Sequence, residues 1–359
     1  MLLSLVGGGG ASSPYQLGFD AMEHYRHARY AEAEAGFRRT LDAWDHAGPQ
    51  FARDRAIAVL NLGTVVRIQG RHAEARALLT EALLDLEKTS GRESLDAGRA
   101  ASALAALYQA SARPAEAEIL ASRACRIFAR DPGATESDRS DAAVVLASVY
   151  IEQNRGAAAG ELLTELLGRG ESTLVLRAHN DLAAIAIRRG DLDMAEALLS
   201  RALEMAPRVL PEIHPTRAAA LNNVAQVRRF QQRYLEAEQL YREALAIWEK
   251  ALGPRHPDTA RGMLNLAALH HERGREKAAE ELYRRAASIF SEAYGEDHEL
   301  ALIARAELAE VLRAERRYSE SKRLTLSALP ALETRLGAGD PRVVRAAENY
   351  RRLLLESGR

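Results

Sequence analysis

One cysteine, Cys125, stands in the 359 residues, which excludes an intramolecular disulfide and a thiolate zinc cluster. Set inside "RACRIF" at helical spacing, it reads as a small core residue rather than a nucleophile. Aromatic side chains are only 5% of the chain, β-branched runs are few and no segment alternates strictly, so strands have little support. Ala, Leu, Glu and Arg dominate instead, all strong helix formers, and the fold class they indicate is all-α. No apolar run reaches the ~18 residues that a membrane-spanning helix needs. Neither sign of charge is in excess: 49 Lys and Arg face 50 Asp and Glu, a net charge of −1. That balance gives no general basic field for nucleic acid or an anionic membrane, and only local patches remain open. No G-x-S-x-G elbow, H-E-x-x-H pair or Gly-rich phosphate loop appears, so neither an enzyme nor a cofactor is expected. "VGGGGASS" follows no strand and opens no βαβ unit.

What the chain does have is self-similarity. A small residue recurs at Ala33, Ala75, Ala117, Ala159, Ala195, Ala237, Ala279 and Ser321, at intervals of 42 residues except for one of 36 between Ala159 and Ala195. Seven residues later runs a second column, Thr40, Ala82, Ala124, Leu166, Ala202, Ala244, Ala286 and Ala328. Small residues seven apart share one helix face and let a neighbouring helix approach closely. Bulky residues such as Phe37, Leu79, Leu163, Leu199, Tyr241 and Tyr283 fall between the two columns. Each repeat is thus a helical hairpin whose first helix ends at a short turn, often through Gly (Gly70, Gly156, Gly190, Gly274). A period of this size is the mark of a solenoid.

This pattern resembles the tetratricopeptide repeat. "VLNLGTVVRIQGRHAEARALL" supplies Leu62, Gly63, Ala75 and Leu79, and "AEALLSRALEMAP" supplies Ala195, Leu199, Ala202 and Pro207. The 42-residue version, with "LNNVA", "LNLAAL", "AEQLYREALAIWEKALG" and "HPDT", looks like the kinesin light chain type. The likeness runs from about Tyr15 to the C-terminus and weakens between Ala101 and Gly170. It implies a right-handed α-solenoid of about eight tetratricopeptide hairpins over residues 15–340, with a C-terminal capping helix and tail over 341–359. The short interval near residues 166–176 should disturb the superhelix. Residues 1–14, "MLLSLVGGGGASSP", read as a disordered leader of a cytoplasmic protein or as a truncated signal segment of an exported one.

His214, His256 and His298 share one column, with Asp340 in the last copy. Equivalent positions a whole repeat apart are too distant to share one ion at ~2 Å bond lengths, so the column reads as a repeat boundary. Gly253 would end one helix, Pro257 would open the next, and Asp258 or Thr259 would cap it. "HHERG", from His270 to Gly274, reads as exposed polar surface.

Asn61, Asn223 and Asn265 occupy another column, with Asn180 and Asn222 one residue before it. Asn is a poor mid-helix residue, so its recurrence needs a reason. The resemblance implies that these side chains line a concave groove and grip the backbone of an extended peptide; the alternative is that they only bridge helices. The same face carries Arg177, Gln226, Arg229, Arg261, His271, Arg313 and Arg345, a locally basic set that would suit an acidic peptide. The two-carboxylate clamp of chaperone-binding family members cannot be assembled from these columns. The expectation is a non-enzymatic scaffold that binds a protein or extended peptide. Its alternatives are a peptide-sensing regulator that switches a partner, the repeat subunit of a larger signalling or enzyme system, or an adaptor that self-associates.

Overall fold

A computed structural model describes residues 13–168 and 170–358. Seventeen α-helices follow in order: α1 (Pro14–Arg26), α2 (Tyr30–Asp45), α3 (Ala52–Ile68), α4 (His72–Ser90), α5 (Leu95–Ala110), α6 (Pro114–Arg130), α7 (Glu136–Glu152), α8 (Gly156–Leu167), α9 (Thr173–Arg189), α10 (Leu192–Val209), α11 (Pro215–Phe230), α12 (Tyr234–Leu252), α13 (Pro257–Glu272), α14 (Glu276–Tyr294), α15 (Glu299–Ala314), α16 (Tyr318–Leu336) and α17 (Pro341–Glu356). The first sixteen pair as eight hairpins and α17 closes the stack, giving a right-handed α-solenoid. The first helices touch one another along the inside of the curve, and the second helices line the outside. The first twelve residues of the leader segment lie outside the described residues; Ser13 and Pro14 belong to the start of α1, where the Ser13 hydroxyl caps the Gln16 N–H.

Both small columns are buried. Ala33, Ala75, Ala117, Ala159, Ala195, Ala237 and Ala279 have no exposed surface, and Phe37, Leu79, Leu163, Leu199, Tyr241 and Tyr283 lie buried between the columns. Ser321 takes the alanine position in the last hairpin and donates its hydroxyl to the Ala309 carbonyl at 2.6 Å, so its polarity is satisfied in the core. The shortened interval falls on α8, which has 12 residues against 16 in α2 and 19 in α12.

Each turn inside a hairpin uses one left-handed residue at the same column: Ala28, Gly70, Ala112, Asn154, Gly190, Gln232, Gly274 and Arg316, all with φ between 50° and 79°. Gly156 is therefore not the turn glycine that spacing suggested. It is the first residue of α8, and Asn154 at φ 63° makes the reversal two residues earlier.

The boundary histidines cap helices through their rings. His214 Nδ1 accepts from the Thr216 N–H at 3.1 Å, His256 Nδ1 from Asp258 at 3.0 Å and His298 Nδ1 from Leu300 at 3.3 Å, while the Asp340 carboxylate accepts from Arg342 at 2.8 Å. Asp258 and Thr259 are thus not the caps: the first donates its backbone to His256, and the Thr259 hydroxyl donates to the Gly253 carbonyl at 2.9 Å.

The superhelix winds tightly enough for one turn to rest on the next. His256 Nε2 lies 2.7 Å from the Ile68 carbonyl, 188 residues away, and donates to it because Nδ1 is already an acceptor. A Cβ on Gly70 would come within 2.9 Å of Pro257 Cδ. Tyr294 stacks on His298 with ring centroids 4.3 Å apart, and the His72 ring lies 4.9 Å from it. His72 Nδ1 in turn meets the Ser111 hydroxyl at 3.2 Å. The turns of the second and third hairpins are thereby seamed to the boundaries before α13 and α15, and the groove becomes a walled lumen.

Candidate functional site: the superhelical lumen

The Asn columns meet as a chain of amides. Asn265 Nδ2 donates to Asn222 Oδ1 at 2.9 Å, Asn222 donates to Asn223 at 3.4 Å, and Asn223 donates to Asn180 Oδ1 at 2.9 Å. Helices α9, α11 and α13 are linked through side chains of one type, which accounts for an otherwise unfavourable residue in mid-helix. The chain ends beside Asp181, whose carboxylate also takes the Ser148 hydroxyl at 3.5 Å. Each amide in the chain has a second hydrogen or lone pair beyond these contacts. Bridging between helices is therefore present, and it does not use the full hydrogen-bonding capacity of the amides.

The arginines divide into two groups. Arg229 pairs with Glu272 at 3.2 Å, Arg345 with Glu307 at 3.2 Å, and Arg313 with Glu310 at 2.6 Å and with Glu356. His271 Nδ1 lies 2.6 Å from the Glu276 carboxylate. The charge of these three arginines is met within the chain. Arg177 and Arg261 make no ion pair or side-chain hydrogen bond among the described residues, and the same holds for Asn61 and Gln226. His270, read as surface from sequence, is 4% exposed, with Nδ1 buried and unpartnered.

The Asn column read from sequence also holds Asp181 and Glu307; what the columns missed are Glu152, Asp141 and Arg67. Burial raises the Asp181 carboxyl to about 6 against the pull of Arg177. Glu152 is raised to about 7 by the protein around it, although its side chain faces the open lumen; Gln109 and Arg261 oppose the rise. Asp141 is raised by burial and held back by Arg177. Burial and then Arg177 push His214 down to about 4, so it is a neutral cap at pH 7. Arg67, from α3, lies within electrostatic range of Tyr25 of α1 and Arg177 of α9, and its Nε is buried without a hydrogen-bond partner. Of these residues, Arg67 and Arg177 are three repeats apart and come within range of one another only through the curvature. Towards the C-terminus the lumen opens into a cleft of about 240 Å³ whose walls include Arg229, His271, Tyr283, Glu307, Arg345 and Asn349.

No helix among the described residues is long and apolar enough to cross a membrane. Cys125 is half-buried, and burial pushes its thiol up to about 11, far from a reactive thiolate.

The backbone is similar to the apo form of the quorum sensor NprR from B. thuringiensis, with a TM-score of 0.59 at 14% identity over 89% of this chain and 87% of that one. A Rap protein complexed with competence and sporulation factor matches with a TM-score of 0.54 at 17% identity, over 95% and 96% of the two chains. The APC/C hetero-tetramer Cut9-Hcn1 gives a TM-score of 0.52 at 11% identity, over 93% of this chain and 64% of that one. At such identities the likeness is one of fold. No curated protein matches the chain by sequence. Tetratricopeptide repeat models match residues 54–130 and 216–291, and a second such model matches residues 144–209 and 180–251. With more than half of its length covered by these models, and with buried small columns repeating through eight hairpins, the chain belongs to the tetratricopeptide repeat family.

Proposed function

We propose that the protein is a non-enzymatic interaction scaffold whose lumen receives an extended peptide or an extended segment of a partner protein. The observation that carries this reading is the amide chain Asn265–Asn222–Asn223–Asn180, which runs along the inner wall with hydrogen-bonding capacity to spare. A row of amides reads a peptide backbone with little regard for side chains, and inner faces of repeat arrays are where such proteins bind. Fold alone does not select a function, so the site carries the argument. A uniformly acidic ligand is less well supported, because Arg229, Arg313 and Arg345 already hold carboxylates of the chain.

The seam supports a more specific version: a regulator whose superhelix loosens or tightens as a peptide enters and so changes its hold on a second partner. His256, Tyr294 and His298 join successive turns through few contacts, which a ligand in the lumen would strain or reinforce. The quorum sensor NprR and the Rap protein carry this fold, and the solved Rap protein is complexed with competence and sporulation factor.

The test uses Asn61 and Gln226, which support no other side chain. Partners captured by wild type are compared with those of an Asn61→Ala/Gln226→Ala variant of equal helicity by circular dichroism. Loss of a partner from the variant supports the lumen; identical partners on both proteins overturn it.

A further inference from the structure

We propose that the seam between superhelical turns is a proton-gated clasp, in which a second proton on His72, His256 or His298 parts the turns and widens the lumen. The inference goes beyond the peptide reading: it concerns the shape of the free chain and holds whatever the lumen binds.

The geometry fixes what each ring can tolerate. His256 Nδ1 accepts from the Asp258 N–H at 3.0 Å, so its single proton sits on Nε2 and is donated to the Ile68 carbonyl at 2.7 Å. A second proton would have to go on Nδ1, where it meets the Asp258 N–H, donor against donor. The ring must then turn away, and turning takes Nε2 off Ile68. The Gly70 turn of the second hairpin is pressed against the same ring and Pro257, where a Cβ would lie 3.3 Å from His256 Nε2. His298 is built alike. Its Nδ1 accepts from Leu300 at 3.3 Å, while Nε2 lies buried with the Ser111 backbone as its polar neighbour and no formed hydrogen bond. The His298 ring stacks on Tyr294, which also touches the His72 ring, so displacing His298 loosens the contact with His72. His72 uses its nitrogens the other way round. The Ser111 hydroxyl proton goes to the Leu107 carbonyl at 2.8 Å, so His72 Nδ1–H donates to Ser111 Oγ at 3.2 Å. Its second proton falls on Nε2 and places a charge inside the seam.

The surroundings make those protons costly while the seam is closed. Charged groups within electrostatic range of the three rings are Arg67 of α3, Asp258 and Arg261 of α13 and Arg335 of α16, and His72 and His256 are within range of each other. Glu152 of α7 joins Asp258 and Arg261 around Tyr294. Three arginines therefore meet rings that would each add another positive charge, and His256 and His298 are only 7% exposed. Burial first, then these cations, hold His72 down to about 4 in the closed seam, and burial holds His298 there too, against 6.5 for a released ring. By linkage the open state takes up protons first as pH falls below 6.5. At pH 5 each of these two rings multiplies the open-to-closed ratio about 30-fold. Repeat arrays open locally before they unfold, so parting of the seam does not require loss of the hairpins. His214 supplies the contrast. It caps α11 through Nδ1 and is also held down to about 4, but it makes no hydrogen bond or ring contact to another superhelical turn among the described residues.

The experiment follows the full chain, without ligand, by small-angle scattering and circular dichroism from pH 7.5 to 4.5. The radius of gyration should rise between about pH 6 and 5 at unchanged helicity, and should return on neutralisation. His72→Phe keeps a ring beside Tyr294 but takes up no proton. Its open-to-closed ratio at pH 5 should be about 30-fold lower than that of wild type, and its radius correspondingly nearer the neutral value. His214→Asn, which keeps a cap, should follow wild type. A radius that stays constant to pH 4.5 overturns the clasp, as does a rise that comes only with loss of helicity. An equal rise in wild type and His72→Phe overturns it as well. Should His72→Phe fail to fold, the wild-type comparison of radius with helicity decides alone.

Discussion

His256 and Ile68 lie 188 residues apart in the chain, yet the histidine Nε2 sits 2.7 Å from the isoleucine carbonyl oxygen. The same ring caps α13 through Nδ1, so one side chain both starts a helix and fastens one superhelical turn to another. His256→Asn keeps a good cap but cannot reach Ile68. The variant should retain its helicity, lose about 1 kcal/mol of stability, and show a larger radius of gyration by small-angle scattering. An unchanged radius would mean that the seam is held without this bond.

Asn223 is both donor to Asn180 and acceptor from Asn222. Asn223→Ala leaves both neighbours without their partner, which should cost about 1–3 kcal/mol. Stability in repeat arrays is local, so the effect belongs in α9 and α11. Hydrogen exchange should quicken there and stay unchanged in α3 and α5; uniform quickening would contradict a local amide chain.

The left-handed turn column contains Ala112 at φ 50°, where the Cβ is a steric burden, and Gly274 at φ 69°, where none exists. Ala112→Gly should stabilise the fold and Gly274→Ala should destabilise it, each by about 1 kcal/mol. Urea denaturation of the two variants checks the opposite signs.

Acid should weaken the fold through its histidines. Burial holds His72, His214 and His298 down to about 4 against an ordinary 6.5, so the unfolded chain takes up these protons first. Their stabilisation is complete above pH 6.5 and is lost as pH falls from there to about 4. Asp181 has the opposite sign: raised from 3.8 to about 6, it favours the fold below 3.8 and loses that benefit as pH rises to 6. Asp181→Asn should therefore gain on the order of 1 kcal/mol over wild type at pH 7 and nothing at pH 3.5. Urea titrations at pH 7, 5 and 3.5 read both trends; a variant gain that is equal at pH 7 and 3.5 would show that Asp181 is not strained by its burial.

Much of the fold was legible because a solenoid repeats its rules. The alanine columns give the hairpins, the one 36-residue interval locates the shortened α8, and the Asn columns point to the inner wall. The Asn-to-Asn bonds follow from that register, since the residues that touch are 43 apart. What was hidden depends on curvature. Nothing local in "VVRIQG" places Arg67 within electrostatic range of Arg177, and nothing in "RHPDT" tells His256 that it reaches Ile68. Contacts across one superhelical turn have no fixed period in sequence. The pairing of Arg229, Arg313 and Arg345 was missed for a different reason: a column shows which face a cation occupies but not which carboxylate opposes it.

The most direct test of a binding lumen is site-specific photo-crosslinking. A photoreactive residue at Ala103, on the inner face of α5, is compared with one at Leu235 on α12, which is 78% exposed. The lumen account predicts that Ala103 captures a discrete peptide or partner segment, that excess unlabelled ligand abolishes the adduct, and that Leu235 captures none. A competable adduct at Leu235 with none at Ala103 would contradict it and place binding on the outer surface.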